Sequence, residues 1–187
     1  MPELILASQS PRRRELLAVA GFRFSVRAKP VEEVRGPGED PVAYVRRLAR
    51  AKAEAAWERP AEIVLGADTT VIVDDRVLEK PVDADDARAM LRLLSGRVHT
   101  VITGICLIHD SGVIVDHSST EVRFSMLSDF EITAYVASGE PMDKAGAYAI
   151  QGLASKFVET VDGCYFNVIG LPLSLLYRHW KTLTAPE

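Results

Sequence analysis

The sequence predicts an α/β fold built on a mixed β-sheet, as one domain over residues 1–187. Three observations carry this. Short apolar runs of strand length alternate with capped stretches of helix length. Direct turns at Asp74-Asp75 and Asp110-Ser111-Gly112 interrupt that alternation with hairpins, so the sheet is not purely parallel. Hydrophobic residues are 48% against 26% charged, which supplies a core and excludes wholesale disorder.

The elements follow in order. Leu4-Ile5-Leu6-Ala7 is a short apolar run and reads as a buried strand. Ser10 is a good N-cap and Pro11 suits the first helical position, so a helix should start there and end near Gly21. Phe22 to Val26 alternates like a strand, and Val34 to Asp40 reads as a surface loop. Asp40 and Pro41 repeat the cap-plus-proline signal for a helix to about Trp57. Ile63 to Ala67 is a second buried strand, expected to end at Asp68, with a hairpin through Val71-Ile72-Val73 and Val77-Leu78 after it. Asp83 to Leu94 is a helix closed by Ser95-Gly96; Val98 to Ile108 and Val113 to Phe124 are strands. Ser128 with Glu131 makes a capping box for a helix that stops at Gly139. Phe157 to Val161 is a strand, and a last helix runs from Leu171 to about Leu183 before a frayed tail, Thr184 to Glu187.

Composition narrows the function. Lys+Arg is 22 against 26 Asp+Glu, a net charge of −4, which argues against a general nucleic-acid binder but not against a small anion held by local cations. No apolar run is long enough to span a membrane. Met1 to Leu6 has no basic segment before an apolar one, so no signal peptide is expected and the cytoplasm is the expected compartment. Cys106 and Cys164 stand in no CxxC motif and beside no His, and read as buried free thiols. His99, His109, His117 and His179 lack the spacing of a zinc site.

Several positions strain a purely structural reading. In the helix after Pro41 the apolar stripe is Val45, Leu48, Ala49, Ala53 and Ala56, and Lys52 falls on it. Its stem either packs there with the ammonium snorkelling out, or the ammonium meets an anion at the core edge. The chain has 16 Arg and 6 Lys, yet keeps Lys at 52, 80 and 144, where a compact point charge suits a phosphate oxygen or proton transfer. Asp68 follows an apolar strand, where ligands of open α/β sheets bind, and could hold Mg²⁺ or orient water; it could equally close an Asx turn with Thr69 and Thr70.

Ser8 to Arg14 places a Ser-rich turn and Arg12, Arg13 and Arg14 at a helix N-terminus. Cations there oppose the helix dipole unless an anion sits among them; the other reading is a solvated basic face offset by Glu15. The glycines and Gly-Lys-Ser/Thr element of a P-loop are absent. Gly139 to Gly152 reads as a tightly packed loop in which Gln151 carries the donor and acceptor that suit a base edge. Glu33 is either a second metal carboxylate or a surface acid. Lys80 precedes Pro81, so its backbone should be extended and fixed.

These segments together resemble the Maf family of nucleoside triphosphate pyrophosphatases. The matching residues are Leu6-Ala7-Ser8-Gln9-Ser10-Pro11-Arg12-Arg13, Lys52-Ala53, Gly66-Ala67-Asp68-Thr69, Lys80-Pro81 and Leu94-Ser95-Gly96-Arg97. They continue through Glu140 to Tyr148, Ile150-Gln151-Gly152 and Gly170-Leu171-Pro172, almost end to end. The resemblance implies a Maf/ITPase-like α/β fold with a mixed curved sheet flanked by helices. It implies hydrolysis of a nucleoside triphosphate to the monophosphate and pyrophosphate, a divalent metal (Mg²⁺ or Mn²⁺), and a homodimer.

By the same resemblance, Asp68 is the catalytic proton acceptor, and Arg12, Thr69 and Gln151 govern substrate choice. Ser8, Arg13, Glu33, Lys52 and Lys80 form the rest of the polar pocket. Ala67-Asp68-Thr69 and Ile150-Gln151-Gly152 look like the dTTP/UTP branch, tied to clearing unusual nucleotides and to arrest of septum formation. Leu153-Ala154-Ser155 departs from the Gly and Ala that often follow in the family, which bears on local loop shape.

The expectation is therefore that Arg12, Arg13, Lys52 and Lys80 neutralise the triphosphate, that Asp68 with Glu33 holds metal and activates water, and that Gln151 reads the base. Two other classes are a nucleotide-binding regulator of cell division with little turnover, and a nucleic-acid module using Arg12 to Arg14. Net charge and the lack of a basic stripe with interleaved aromatics count against the last.

Overall fold

The computed structural model describes residues 3–60 and 62–184. Its elements in chain order are β1 (Glu3–Leu6), α1 (Pro11–Val19), β2 (Phe24–Val26), α2 (Pro41–Ala56), β3 (Glu62–Val73), β4 (Arg76–Leu78) and α3 (Ala84–Leu94). They continue with β5 (Val98–His109), β6 (Gly112–Phe124), α4 (Asp129–Ala137), β7 (Val158–Asp162), α5 (Tyr165–Ile169) and α6 (Leu173–Thr184). The strands form one mixed sheet in the order β2-β1-β3-β5-β6-β7, with β4 on β3, as the hairpins require. The described residues divide into two compact units, one within Met1–Asp68, Thr103–Ser118 and Gly170–Glu187, the other Thr69–Ile102 and Ser119–Ile169. Strands β3, β5 and β6 each pass from one unit to the other.

In the first unit β1 runs parallel to both its neighbours, pairing Leu4 with Phe24 and with Ile63. Strands covered on both faces are continuously apolar, and Leu4, Ile5 and Leu6 are fully buried. Helix α2 starts where Asp40 accepts the Ala43 N–H at 2.9 Å, with Pro41 in its first turn. Its stripe of Ala49, Ala53 and Ala56 packs with Ile5, Ala7, Val64, Cys106 and Ile108. The small side chains allow the helix backbone to approach closely. At Gly66 a β-carbon would stand 2.8 Å from the Ala53 nitrogen, and at Gly104 2.5 Å from the Val45 carbonyl oxygen. Ser10 occupies the N-cap of α1, but its hydroxyl makes no capping bond; the hydroxyl that organises this turn is Ser8, which accepts from the Ser10 N–H at 3.3 Å.

In the second unit β3 and β4 form the expected hairpin, pairing Val71 with Leu78. Asp74 (φ 47°) and Asp75 (φ 61°) adopt the left-handed turn that matches strand twist. Asp83 caps α3 through the Asp86 N–H at 2.8 Å, and Ser128 and Glu131 make the capping box of α4. Strands β6 and β7 are antiparallel, with an irregularity between Arg123 and Phe124. His99 is buried, edge-on to Phe124 at 5.0 Å, with Nε2 2.8 Å from the Tyr148 hydroxyl.

Some expectations are corrected, and one short helix is an element the sequence did not announce. Strand β3 does not end at Asp68 but continues to Val73, because Thr69, Thr70 and Val71 are β-branched and extend it into the hairpin. The loop after Gly139 is wound into three short 3₁₀ turns, Glu140–Asp143, Ala145–Ala147 and Leu153–Phe157. Helix α5, one turn long, carries too short a pattern to read from sequence. Thr184 closes α6, and the remaining tail, Ala185 to Glu187, lies outside the described residues.

Candidate functional site

The site of the first unit is set by a helix–strand contact. Gly66 and Asp68 are two apart on β3 and so face the same side. Removing the side chain at Gly66 brings α2 against β3 at Ala49 and Ala53, and Lys52 lies between those two alanines in sequence. Lys52 Nζ consequently lies 2.7 Å from Asp68 Oδ1 and 2.8 Å from Glu33 Oε1. Of the two sequence readings of Lys52, the anion partner is the observed one. Lys52 and Asp68 side chains are 12% and 11% exposed, whereas Glu33 is 46% exposed, so Glu33 is the solvent-facing member of the triad.

Glu33 comes from the segment between β2 and α2. The Tyr44 hydroxyl donates to its carbonyl oxygen at 3.2 Å, and Arg47 donates to the next carbonyl, that of Val34, at 3.0 Å. Arg47 also grips Glu39 with two bonds of 2.7 Å. Tyr44 and Arg47 escaped the sequence reading, because one lies on the apolar stripe of α2 and the other among surface arginines.

Arg13 is buried rather than presented on a solvated face. Its Nε–H donates to the Gly170 carbonyl at 2.8 Å and one terminal nitrogen donates to Ser8 Oγ at 3.0 Å. Arg13 therefore ties α1 to the residue just before Leu171-Pro172, a link that no local pattern encodes. Arg12 is half-buried and within electrostatic reach of Arg13.

The electrostatics couple these groups. Burial pushes the Asp68 carboxyl above the ordinary carboxylate range, the Lys52 ammonium and Arg13 guanidinium pull it back, and Glu33 adds to the rise. Burial lowers the Arg13 pKa, with Asp68 and Glu33 opposing and Arg12 adding. Asp68 is thus a carboxylate held ionised by cations at a buried position, with basicity raised by burial.

Among the described residues no three His, Cys, Asp or Glu side chains gather as metal ligands. Asp68 and Glu33 nonetheless face one common cation, the Lys52 ammonium. Two carboxylates suit Mg²⁺, which keeps waters and substrate phosphates as its other ligands. Neither thiol enters this site chemistry: both cysteines are free, and burial pushes Cys106 up to about 12. Cys106 is buried as expected, whereas Cys164 is only half-buried.

The other sequence candidates belong to the second unit. Thr69, next to Asp68 on β3, is half-buried; Lys80 is exposed on a bend before Pro81; Gln151 is exposed on the turn between Ala149 and Leu153. Among the described residues no helix is long and apolar enough to cross a membrane.

Comparison with known proteins extends this picture. The family model described as Maf-like protein matches residues 3–183. A Koribacter versatilis protein named dTTP/UTP pyrophosphatase is 52% identical over 176 residues, covering 94% of this chain and 91% of that protein. One of the same name from Geobacillus sp. is 46% identical over 184 residues, covering 98% and 99%. Among solved structures, a HAM1 protein from Coxiella burnetii superposes with a TM-score of 0.51 at 17% identity, each chain fully covered, which speaks to the fold.

Proposed function

This chain belongs to the Maf family, and from that premise we propose that it hydrolyses dTTP and UTP to the monophosphate and pyrophosphate. It is a nucleoside triphosphate pyrophosphatase, a hydrolase of acid anhydrides. The observation that carries the residue assignment is the Lys52 ammonium held between Asp68 and Glu33 beside buried Arg13.

The chemistry follows from those groups. A water oxygen forms a bond to the α-phosphorus, and the bond from that phosphorus to the bridging oxygen of the β-phosphoryl breaks, releasing pyrophosphate. The Asp68 carboxylate accepts the water proton, a role suited to a base whose pKa burial has raised. Lys52 keeps Asp68 ionised before the reaction and carries positive charge toward the phosphates. Asp68 and Glu33 would hold Mg²⁺ or Mn²⁺, which when bound supplies further positive charge to the triphosphate oxygens. Arg12, Arg13 and Ser8 complete the polar set of this unit for the phosphates; the family resemblance supports a phosphate role for Lys80 and base selection by Thr69 and Gln151. Pyrimidine triphosphates with modified bases fall within this substrate class.

A nucleotide-binding regulator with little turnover is not favoured, because the relatives at about half identity carry the pyrophosphatase name. We place the enzyme in the cytoplasm as a homodimer, without nucleic-acid or membrane partners. The net charge of −4 supports the absence of nucleic acid, and the resemblance supports the dimer.

Pyrophosphate release with Mg²⁺ or Mn²⁺ across dTTP, UTP, 5-substituted relatives and 7-methyl-GTP tests the assignment, with Asp68→Asn as the control. Fast release from the pyrimidines, lost in the variant, is expected. Equal release by Asp68→Asn would sink the assignment of the base.

A further inference from the structure

The turn that carries Gln151 is anchored on both sides by one hydrogen-bonded pair, buried Tyr135 and half-buried Glu140. The Tyr135 hydroxyl, on α4, donates to Glu140 Oε1 at 2.8 Å and accepts the Ala149 N–H at 3.3 Å. The other carboxylate oxygen, Glu140 Oε2, accepts the Leu153 N–H at 3.0 Å. The turn closes on itself where the Gly152 N–H donates to the Ala149 carbonyl at 3.0 Å. Gln151 thus lies two residues after one anchor and two before the other. Gly152 itself is pressed on the carboxylate: a β-carbon there would stand 2.5 Å from Glu140 Cδ. Glu140 is in turn fixed by its own backbone, its N–H donating to Ser138 Oγ at 3.2 Å and its carbonyl accepting from Lys144 Nζ at 2.6 Å. Tyr135 is buried, while Gln151 is exposed and makes no part of this network among the bonds described. A carboxylate and a phenol thus hold the main chain on either side of one exposed amide side chain.

We propose that Glu140 and Tyr135 are positioning residues for base selection, clamping the Ala149–Leu153 turn so that the Gln151 amide presents its donor and acceptor in a fixed direction. This rests on the reading that Gln151 meets the base. The chemical class that such an amide selects is the uracil or thymine edge. There a ring N–H donor stands beside a carbonyl acceptor, so one amide satisfies both. Cytosine has an amino donor and a bare ring nitrogen at those places, and a fixed amide cannot match it without flipping. Discrimination therefore depends on the amide being held, since a swivelling one satisfies either edge. A site built to hydrogen-bond a group rejects the analogue lacking it far more strongly than a methylene-sized difference does.

The experiment measures kcat and KM for pyrophosphate release from UTP and from CTP, at fixed Mn²⁺, for the wild type and for Tyr135→Phe, Glu140→Gln and Gln151→Ala. Tyr135→Phe removes one oxygen and Glu140→Gln keeps the side-chain volume, so neither creates a cavity. The ratio of kcat/KM for UTP over CTP should fall about tenfold in all three, equivalent to about 1.4 kcal/mol. The loss should lie in the KM for UTP, with kcat within about twofold. Combining Glu140→Gln with Gln151→Ala should narrow the ratio no further than Gln151→Ala alone, because both act through the same amide. If Gln151→Ala narrows the ratio while Tyr135→Phe and Glu140→Gln keep the wild-type value, the clamp is structural and the inference fails. The same holds if those two variants depress UTP and CTP turnover equally. If Gln151→Ala itself leaves the ratio unchanged, the base-reading role falls and this inference with it.

Discussion

Gly66 of β3 lies directly beneath Ala49 of α2, so closely that a β-carbon on Gly66 would overlap the Ala49 carbonyl oxygen. Lys52 is one helical turn from Ala49 and Asp68 is one pleat from Gly66, so this contact fixes the distance between ammonium and carboxylate. The site is therefore sensitive to a residue that touches no substrate.

Gly66→Ala should consequently damage both stability and turnover. The overlap involves main chain on both sides, so the helix must move rather than a side chain rotate. Overpacking of this kind costs about 2 kcal/mol. Displacing Lys52 by an ångström should lower kcat about a hundredfold. Urea unfolding and pyrophosphate release on the same preparation check this. A variant with full activity would show that the Lys52–Asp68 spacing is set elsewhere.

Asp68→Asn and Lys52→Met should separate chemistry from stability. The amide cannot accept the water proton, and kcat should fall about a thousandfold while the fold persists. Lys52→Met leaves the mostly buried Asp68 carboxylate without its ammonium and near the half-exposed Glu33 carboxylate, and stability at neutral pH should fall by about 3 kcal/mol. That deficit should shrink on acidification. Burial already raises the Asp68 pKa, Lys52 opposes the rise, and without Lys52 the carboxyl protonates at still higher pH and sheds its charge. Denaturation of both proteins from neutral to acidic pH reads this directly, and a constant deficit would contradict it.

The strands, the two hairpin turns, the Asp40 and Ser128 caps and the apolar stripe of α2 were legible because each depends on a few neighbouring residues. The position of Lys52 on that stripe was legible for the same reason. What Lys52 meets was not, since Glu33 and Asp68 reach it from other elements. The extension of β3 past Asp68 is a pairing decision made by β4, and the burial of Arg13 depends on Gly170, 157 residues away. The family resemblance named these residues without their geometry. The clamp formed by Glu140 and Tyr135 lay inside a segment read as a loop, where hydrogen bonds across 3₁₀ turns leave no periodic trace.

Chelation should abolish pyrophosphate release, and Mg²⁺ or Mn²⁺ should restore it. Glu33 is the exposed carboxylate of the pair, and Glu33→Gln should raise the Mn²⁺ concentration for half-maximal activity by about tenfold. Tyr44→Phe, which frees the Glu33 carbonyl from its hydroxyl, should do so more weakly. Titrating Mn²⁺ against initial rate decides it; an unchanged midpoint in Glu33→Gln would remove Glu33 from the metal site.

His99 should make the protein acid-labile in a defined window. Burial lowers its pKa from the ordinary 6.5 to about 4. Above 6.5 the imidazole is neutral in folded and unfolded chains alike, and it contributes nothing to pH dependence. As pH falls below 6.5 the unfolded chain takes up a proton that the folded chain refuses, so stability is lost progressively until about pH 4. The full loss through this one group is about 3 kcal/mol. Glu62 adds no slope in most of that range. Arg27 holds its carboxylate down to about 2, so its contribution is lost only as pH falls below 4.5. His99→Gln keeps a polar partner for the Tyr148 hydroxyl but cannot titrate, and should be less stable at neutral pH with a flatter profile between pH 6.5 and 4. Urea midpoints at half-unit pH steps would show the two curves converging as pH falls. Parallel curves would mean that His99 takes up its proton over the same pH range in the folded and unfolded chains.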